Sequence, residues 1–460
     1  MAVSALDSRI FRNLFGTQEI RDVFTDEAYV QRMIDVEAAL ARAQSNCGLI
    51  PGEAGDAITQ ALSTINIDYD KLSHDTDIVG YPVLPLVEQL VPGTPSDMAK
   101  YIHWGATTQD IMDNASVLQM RAGLAVVQRQ LQELIGTLTQ LSKSHRDTPM
   151  AGRTHLQHAL PCTFGYKCAV YLSSILRHAD RLRDIQKRCL LVQFGGAAGT
   201  LASLGSDDTG VRVRAALARE LGLADPPITW HVVRDNVAEI LNFLALVGGS
   251  LGKIAYDIMI MSSNELGEVS EPFVPHRGAS STMPQKRNPI SSEVVLAASK
   301  LLRANAGLGL DAMVADFERA SGPWHLEWVA IPEAFVLAGG ALHQTNFALG
   351  GLVVHTGAMA ANLCSTRGLI VGEAVMMGLA PFVGRQPAHD LVYEACRASI
   401  EERRPLLDVL RERPQVTAQV PADKLAALCD PTNYFGSSQR MVDHMVRVAE
   451  SQGLGADGTI

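Results

Sequence analysis

A chain of 460 residues with 47% hydrophobic and 19% charged residues is a globular protein of two or three domains, which excludes a disordered chain. Aromatics are only 5%, while Ala, Leu, Val and Gly abound, which favours closely packed helices over a sandwich or barrel. The net charge of −10 argues against nucleic acid as a partner, because phosphate binding needs concentrated basic charge, yet a few local cations still suffice for a small acidic ligand.

Residues 1–110 read as shorter helices, and "TDEAYVQRMIDVEAALARAQ" opens with Thr25 as an N-cap and Asp26 and Glu27 in its first turn. Between Asp113 and Lys143, Val117, Met120, Leu124, Val127, Leu131, Leu134, Leu138 and Leu141 alternate in threes and fours. That spacing keeps one apolar seam along a single helix for about seven turns, or roughly 40 Å. A helix so long must lie in a bundle. Further helices are expected from Thr163 to Leu191, Val232 to Gly267, Glu293 to Met313 and Ile331 to about Gly357. Gly248, Gly249 and Gly252 would permit close contact along the second of these. From Ser365 onward the pattern is again short helices, broken at Pro381, Pro387, Pro405 and Pro421, with a frayed Gly- and Ser-containing tail. Convincing strand alternation is absent throughout.

The expected fold is therefore all-α, with an N-terminal helical domain (1–110), a central long-helix bundle (111–364, including a loop at 275–290) and a C-terminal helical domain (365–460). The N-terminus lacks a signal-peptide hydrophobic region, and the longest apolar run, Ile240 to Gly252, is too short to span a bilayer. Seven scattered cysteines without a C-x-x-C pair read as reduced thiols. A cytoplasmic protein with no membrane or nucleic-acid partner is expected.

Three polar islands interrupt the helices: "YIHWGATTQDIMDNA", "AGRTHLQHALP" and "GASSTMPQKRNPISSE". Each reads as preceding a helix, where free backbone N–H groups, the helix dipole and hydroxyl donors suit an anion. Ser and Thr are also ordinary capping residues, so it is the coincidence of three islands that points to a site. H-L-Q-H places His155 and His158 three apart but lacks the Glu of a zincin motif and any completing carboxylate cluster, so neither metal nor cofactor is expected.

S-S-x-M-P-x-K-x-N-P, filled by Ser280, Ser281, Met283, Pro284, Lys286, Asn288 and Pro289, resembles the signature of the fumarase/aspartase superfamily. G-R-T-H-x-Q (152–157) and G-A-T-T-Q-D (105–110) resemble its other two regions, in the same order over nearly the whole chain. "VQFGGAAGTLASLG", "WHLEW" and "LCDPTNYFGSSQRMVD" are most similar to the bacterial 3-carboxy-cis,cis-muconate cycloisomerases, close to adenylosuccinate lyases. The resemblance implies a homotetramer around a bundle of about twenty helices, with each active site assembled from three subunits. It also implies a dicarboxylate or tricarboxylate substrate that loses a proton beside a carboxylate and then a leaving group.

By the same resemblance Ser280 is the general base, Lys286 and Asn288 hold the carboxylate and intermediate, and Ser281 and Met283 line the substrate. His155 is the general acid and Glu293 the carboxylate that tunes it. Thr107, Thr108 and Gln157 match carboxylate-binding positions, His103 a second active-site histidine and Arg319 an arginine for the anionic substrate. His158 fits a structural role as well as a catalytic one. Three departures stand out. Ala279 replaces the usual Gly ahead of Ser280. Trp328, near Trp324, stands where adenylosuccinate lyases carry an Arg for the nucleotide phosphate, so adenylosuccinate is not the expected substrate. His155 stands where the cycloisomerases would carry Trp; a departing amine needs a proton and a lactone carboxylate does not. The expectation is a lyase releasing a nitrogen group from a substituted succinate to give fumarate, with the cycloisomerase as the alternative and an inactive structural relative a further one.

Overall fold

The computed structural model describes residues 4–319 and 321–452, so the expected frayed tail lies outside the described residues. Contacts gather the chain into two units: Met1–Gln130, His178–Leu251 and Ala297–His343 in the first, Leu131–Arg177, Gly252–Leu296 and Gln344–Ile460 in the second. The elements used below are, in chain order, α1 (Asp26–Asn46), α2 (Gly52–Leu62), α3 (Thr108–Ser144), β1 (Pro149–Thr154), β2 (Gln157–Thr163), α4 (Phe164–Cys189), α5 (Thr209–Leu221), α6 (Asp235–Met261), β3 (Val269–Ser270), α7 (Ile290–Asp311), α8 (Pro323–Gly350), β4 (Val353–Val354), α9 (Thr356–Cys364), α10 (Gly372–Val383) and α11 (Arg385–Glu402). The architecture is all-α, built on the five long helices α3, α4, α6, α7 and α8.

In the first unit, Thr25 caps α1 through its hydroxyl, which accepts from the Ala28 N–H at 3.1 Å. The core there joins Met33, Leu40, Ile58, Leu86, Leu90, Leu204 and Trp324 with the opening turns of α3. Seven of the eight seam residues of α3, Val117 to Leu138, are at most 1% exposed, so the seam is the buried row that its spacing demands. Gly248 on α6 lets α7 come close, since a Cβ there would lie 2.5 Å from Leu302 Cδ1.

Several boundaries differ from the sequence reading. The helix α8 begins at Pro323, not Ile331, and carries Pro332 inside it. Ala330, Ile331, Ala334 and Phe335 are buried around that proline, and this packing outweighs the hydrogen bond it removes. Pro381 likewise lies within α10, near its end, and Pro387 within the first turn of α11, where no N–H partner is needed. Pro405 and Pro421 do stand at helix starts. The apolar run at 240–252 belongs to a 27-residue helix, α6, long and apolar enough by length and composition to cross a membrane. Its Ile240, Leu241, Leu244, Val247 and Leu251 are fully buried, which is the row of a core helix.

Strands were not expected, and here the sequence reading is corrected. β1 and β2 form an antiparallel hairpin with Thr154 opposite Gln157, and β3 pairs with β4. The middle island is thus a β-hairpin, whose second strand runs directly into α4. His155 and Leu156 form its two-residue turn with φ of 51° and 62°, the positive values a tight hairpin turn requires. No Asn-Gly or Gly signals that turn, and a bulge between Ala151 and Arg153 breaks the alternation, which is why the pattern was illegible.

Candidate active site

Island one sits in the first unit at the start of α3, where Thr108 is the first helical residue. Asp110, fully buried, organises it. Its carboxylate accepts from the N–H groups of Thr107 (3.0 Å), Gly195 (2.9 Å) and Gly196 (2.9 Å), and lies 2.7 Å from His231 Nε2. Arg319 Nη1 donates to Thr107 Oγ1 at 2.7 Å and to the Ala197 carbonyl at 3.5 Å. The structure therefore brings Thr107, Arg319 and the glycine-rich run 195–199 into one polar cluster. A threonine hydroxyl and an arginine beside backbone amides are an arrangement suited to a carboxylate.

His103 joins this part of the fold with φ of 58°, its Nδ1 lying 2.7 Å from Glu37 Oε1 and its backbone N–H donating to Glu37 Oε2 at 3.1 Å. Burial works against the charged imidazole, but the hydrogen bond to Glu37 and the charges of Glu37 and Asp110 outweigh it. The His103 pKa is raised above the ordinary 6.5. Nearby, Trp328 packs against Tyr81, Trp324 and His325, with ring centroids 6.0, 5.2 and 4.3 Å away. The position thus presents an indole wall.

In the second unit, His155 and Gln157 stand exposed at the hairpin tip. Arg153, two residues before His155, forms a bidentate ion pair with buried Glu268 at 2.6 and 3.0 Å. His158, the cross-strand partner of Arg153, has its pKa lowered by burial and by the Arg153 charge, against the pull of Glu268.

The Ser280 loop is closed at its base. Asn288 N–H donates to the Gly278 carbonyl at 2.9 Å, and Ala279 bridges Arg287. Gly278 is required there: its φ is 68°, and a Cβ would stand 2.4 Å from the Asn288 carbonyl oxygen. Ala279 has no such φ, so replacing the usual Gly costs this loop no strain. Ser280 Oγ accepts from the N–H groups of Thr282 (3.3 Å) and Met283 (3.1 Å). Ser281, Met283 and Lys286 are exposed, and Glu293 is exposed in the first turn of α7. Among the described residues of one chain, no hydrogen bond or ion pair joins His155 to Glu293, or either of them to Ser280.

A recess of about 60 Å³ at the base of the loop is lined by Ser270, Glu271, Arg277, Arg287 and Asn288. A larger cavity of about 410 Å³, lined by Arg21, Phe24, Thr25, Val329 and Glu333, contains none of the site residues expected from the sequence. Sequence reasoning missed Glu37, Asp110, His231, Arg153 and Glu268 as site-building residues. Asp110 and Arg153 lay inside the quoted motifs; a buried glutamate such as Glu37 leaves no local signal.

The Lyase family model matches residues 15–302, and a second family, adenylosuccinate lyase C-terminus, matches 368–445. The chain belongs to this lyase family, within the fumarase/aspartase superfamily. Trans-aconitate decarboxylase 1 of Mycosarcoma maydis is 44% identical, over 94% of this chain and 88% of its own. The 3-carboxy-cis,cis-muconate cycloisomerase of Pseudomonas aeruginosa is 42% identical, over 97% of each chain. Among solved structures, a fumarate lyase from Mesorhizobium sp. BNC1 is 52% identical with a TM-score of 0.89, covering 94% of this chain and 98% of that one.

Proposed function

We propose that the protein is a cytoplasmic carbon–nitrogen lyase that removes a Cβ proton from an N-substituted aminosuccinate and expels the amine, leaving fumarate. The observation that carries this reading is Ser280 Oγ resting on two backbone N–H donors of its own loop. A serine hydroxyl is a feeble base in water; amide donors aimed at its oxygen favour the alkoxide, and the Lys286 cation adds to this as the loop closes over substrate. The alkoxide takes the Cβ proton, and the C–H electron pair moves into the neighbouring carboxylate as an aci-carboxylate stabilised by Lys286 and Asn288. That pair then returns to form the Cα–Cβ double bond as the Cα–N bond breaks, and His155, tuned by Glu293, protonates the departing nitrogen. Thr107, Thr108, Gln157, His103 and Arg319 hold the other carboxylate.

The three relatives are named for trans-aconitate, carboxymuconate and fumarate, all small polycarboxylates, which supports that substrate class for this chain. The fumarate lyase shares 52% of its residues with this chain, which favours elimination, and Trp328 in place of a phosphate-binding arginine argues against a nucleotide leaving group. We further propose a homotetramer with shared active sites. Among the described residues of one chain, His155, Glu293 and Lys286 have no side-chain hydrogen-bond or ion-pair partner, and exposed Val170, Leu246, Tyr256, Leu301, Leu310 and Val329 leave apolar faces on the long helices.

The cycloisomerase is the second reading, favoured by the 42% identity to the Pseudomonas aeruginosa enzyme. The test is to incubate the purified protein with N-substituted aspartates and follow fumarate absorbance. Fumarate released by wild type and not by Ser280→Ala is the expected result; no fumarate, with lactone formed from 3-carboxy-cis,cis-muconate, reverses the assignment.

A further inference from the structure

The small recess at the root of the Ser280 loop lies wholly within the second unit, and its charges do not balance. Arg277 and Arg287 both line it, and among the described residues neither guanidinium is paired with a carboxylate. Arg277 Nη2 donates to two neutral acceptors, Ser291 Oγ at 2.6 Å and Gln344 Oε1 at 2.9 Å, and its Cζ stands 4.3 Å from the Phe347 ring centroid. Its Nε is buried and has no hydrogen-bond partner among the described residues. Arg287 makes no side-chain hydrogen bond to them at all; its Cζ lies 4.4 Å from the Phe273 ring centroid.

The one acid of the recess does not neutralise this pair. Glu271 accepts from Ser291 N–H at 3.2 Å through Oε2, and from Ser292 N–H at 2.8 Å and Ser292 Oγ at 2.7 Å through Oε1. Both of its oxygens are thus engaged by the first turn of α7. Ser270 adds a hydroxyl to the lining, 2.9 Å from His355 Nε2. Two cations on one recess repel each other, and a buried donor left unbonded is costly; an anion between them relieves both. Guanidinium forks match the paired oxygens of a carboxylate or phosphate. At about 60 Å³ the recess suits one such group and not a nucleotide.

We propose that Arg277 and Arg287 form an anion-binding recess at the root of the Ser280 loop, which takes a small oxyanion: inorganic phosphate or a carboxylate of the substrate. Asn288 also lines the recess, which is why the substrate is one of the two sources. The backbone of Arg287 bridges Ala279 across the neck of the loop, whereas Arg277 is anchored to Ser291 of α7 and Gln344 of α8. An anion held by both therefore ties the returning arm of the loop to its fixed stem.

The test is calorimetric titration of the intact protein with inorganic phosphate and, separately, with succinate, against sodium chloride of equal ionic strength. Arg287→Gln removes an exposed cation that holds no hydrogen bond, so the fold is retained, and it is expected to weaken phosphate binding about tenfold or more. Arg277→Gln should act in the same direction. Amide exchange in residues 279–288 is expected to slow when phosphate is added to wild type, and not when it is added to Arg287→Gln. Succinate separates the two sources. If Arg287→Gln weakens succinate too, and phosphate displaces it, the recess holds a carboxylate of the substrate; if succinate binding is unchanged, it holds a free inorganic anion. Binding of neither anion to wild type, or phosphate and succinate binding of undiminished strength in Arg287→Gln, overturns the proposal. Titration needs no turnover, so failure of the elimination chemistry and failure of the recess are read separately.

Discussion

Ser280, Lys286 and Asn288 were legible as candidates because their motif is contiguous. Glu37 and Asp110 were not, because a single buried carboxylate acts on groups distant in sequence. Glu37 has a measurable consequence. It raises the His103 pKa, so the folded state binds a proton that the unfolded chain has already released as pH climbs. The stabilisation from His103 is fully present below about pH 6.5 and is lost as pH rises through the folded-state value. Glu37→Gln should therefore lower the His103 titration midpoint followed by NMR, and should flatten the loss of thermal stability above neutrality. An unchanged midpoint would mean that the contact does not tune the ring. His158 runs the other way: its lowered pKa means that stability falls as pH drops below about 6.5.

At the scale of elements, the long helices could be read because an apolar row at spacings of three and four has one physical solution, a helix buried along one face. The hairpin could not, because its turn is His155–Leu156, which carries no glycine signal, and its strands are bulged. Buried ion pairs were equally hidden. Arg234 bonds Asp113 of α3 through Nη1 (2.7 Å) and Nη2 (2.9 Å), and Glu327 of α8 through Nε (2.9 Å), with all three side chains at most 3% exposed. Burial holds the Glu327 pKa up even against Arg234, while the two carboxylates together overcome burial and raise that of Arg234. Arg234→Met strands two carboxylates in the interior, and a loss of about 3–5 kcal/mol in chemical denaturation is expected. A loss below about 1 kcal/mol would show that the trio contributes little to stability.

For the whole molecule, the homotetramer is implied only by the family resemblance and the nitrogen leaving group only by His155, since both depend on groups that meet only when chains or substrates come together. If active sites are shared between chains, mixing inactive His155→Gln and Ser280→Ala proteins, unfolded and refolded together, should restore part of the wild-type activity. No recovery, from a mixture shown by light scattering to have assembled, would assign each site to one chain. A catalyst accelerates a reaction in both directions, so the central claim is most directly tested by incubating the protein with fumarate and a panel of amines and reading the products by mass spectrometry. The expected result is one or more new masses equal to fumarate plus amine, absent with Ser280→Ala. No adduct with any amine, from a protein that lactonises 3-carboxy-cis,cis-muconate, would contradict it.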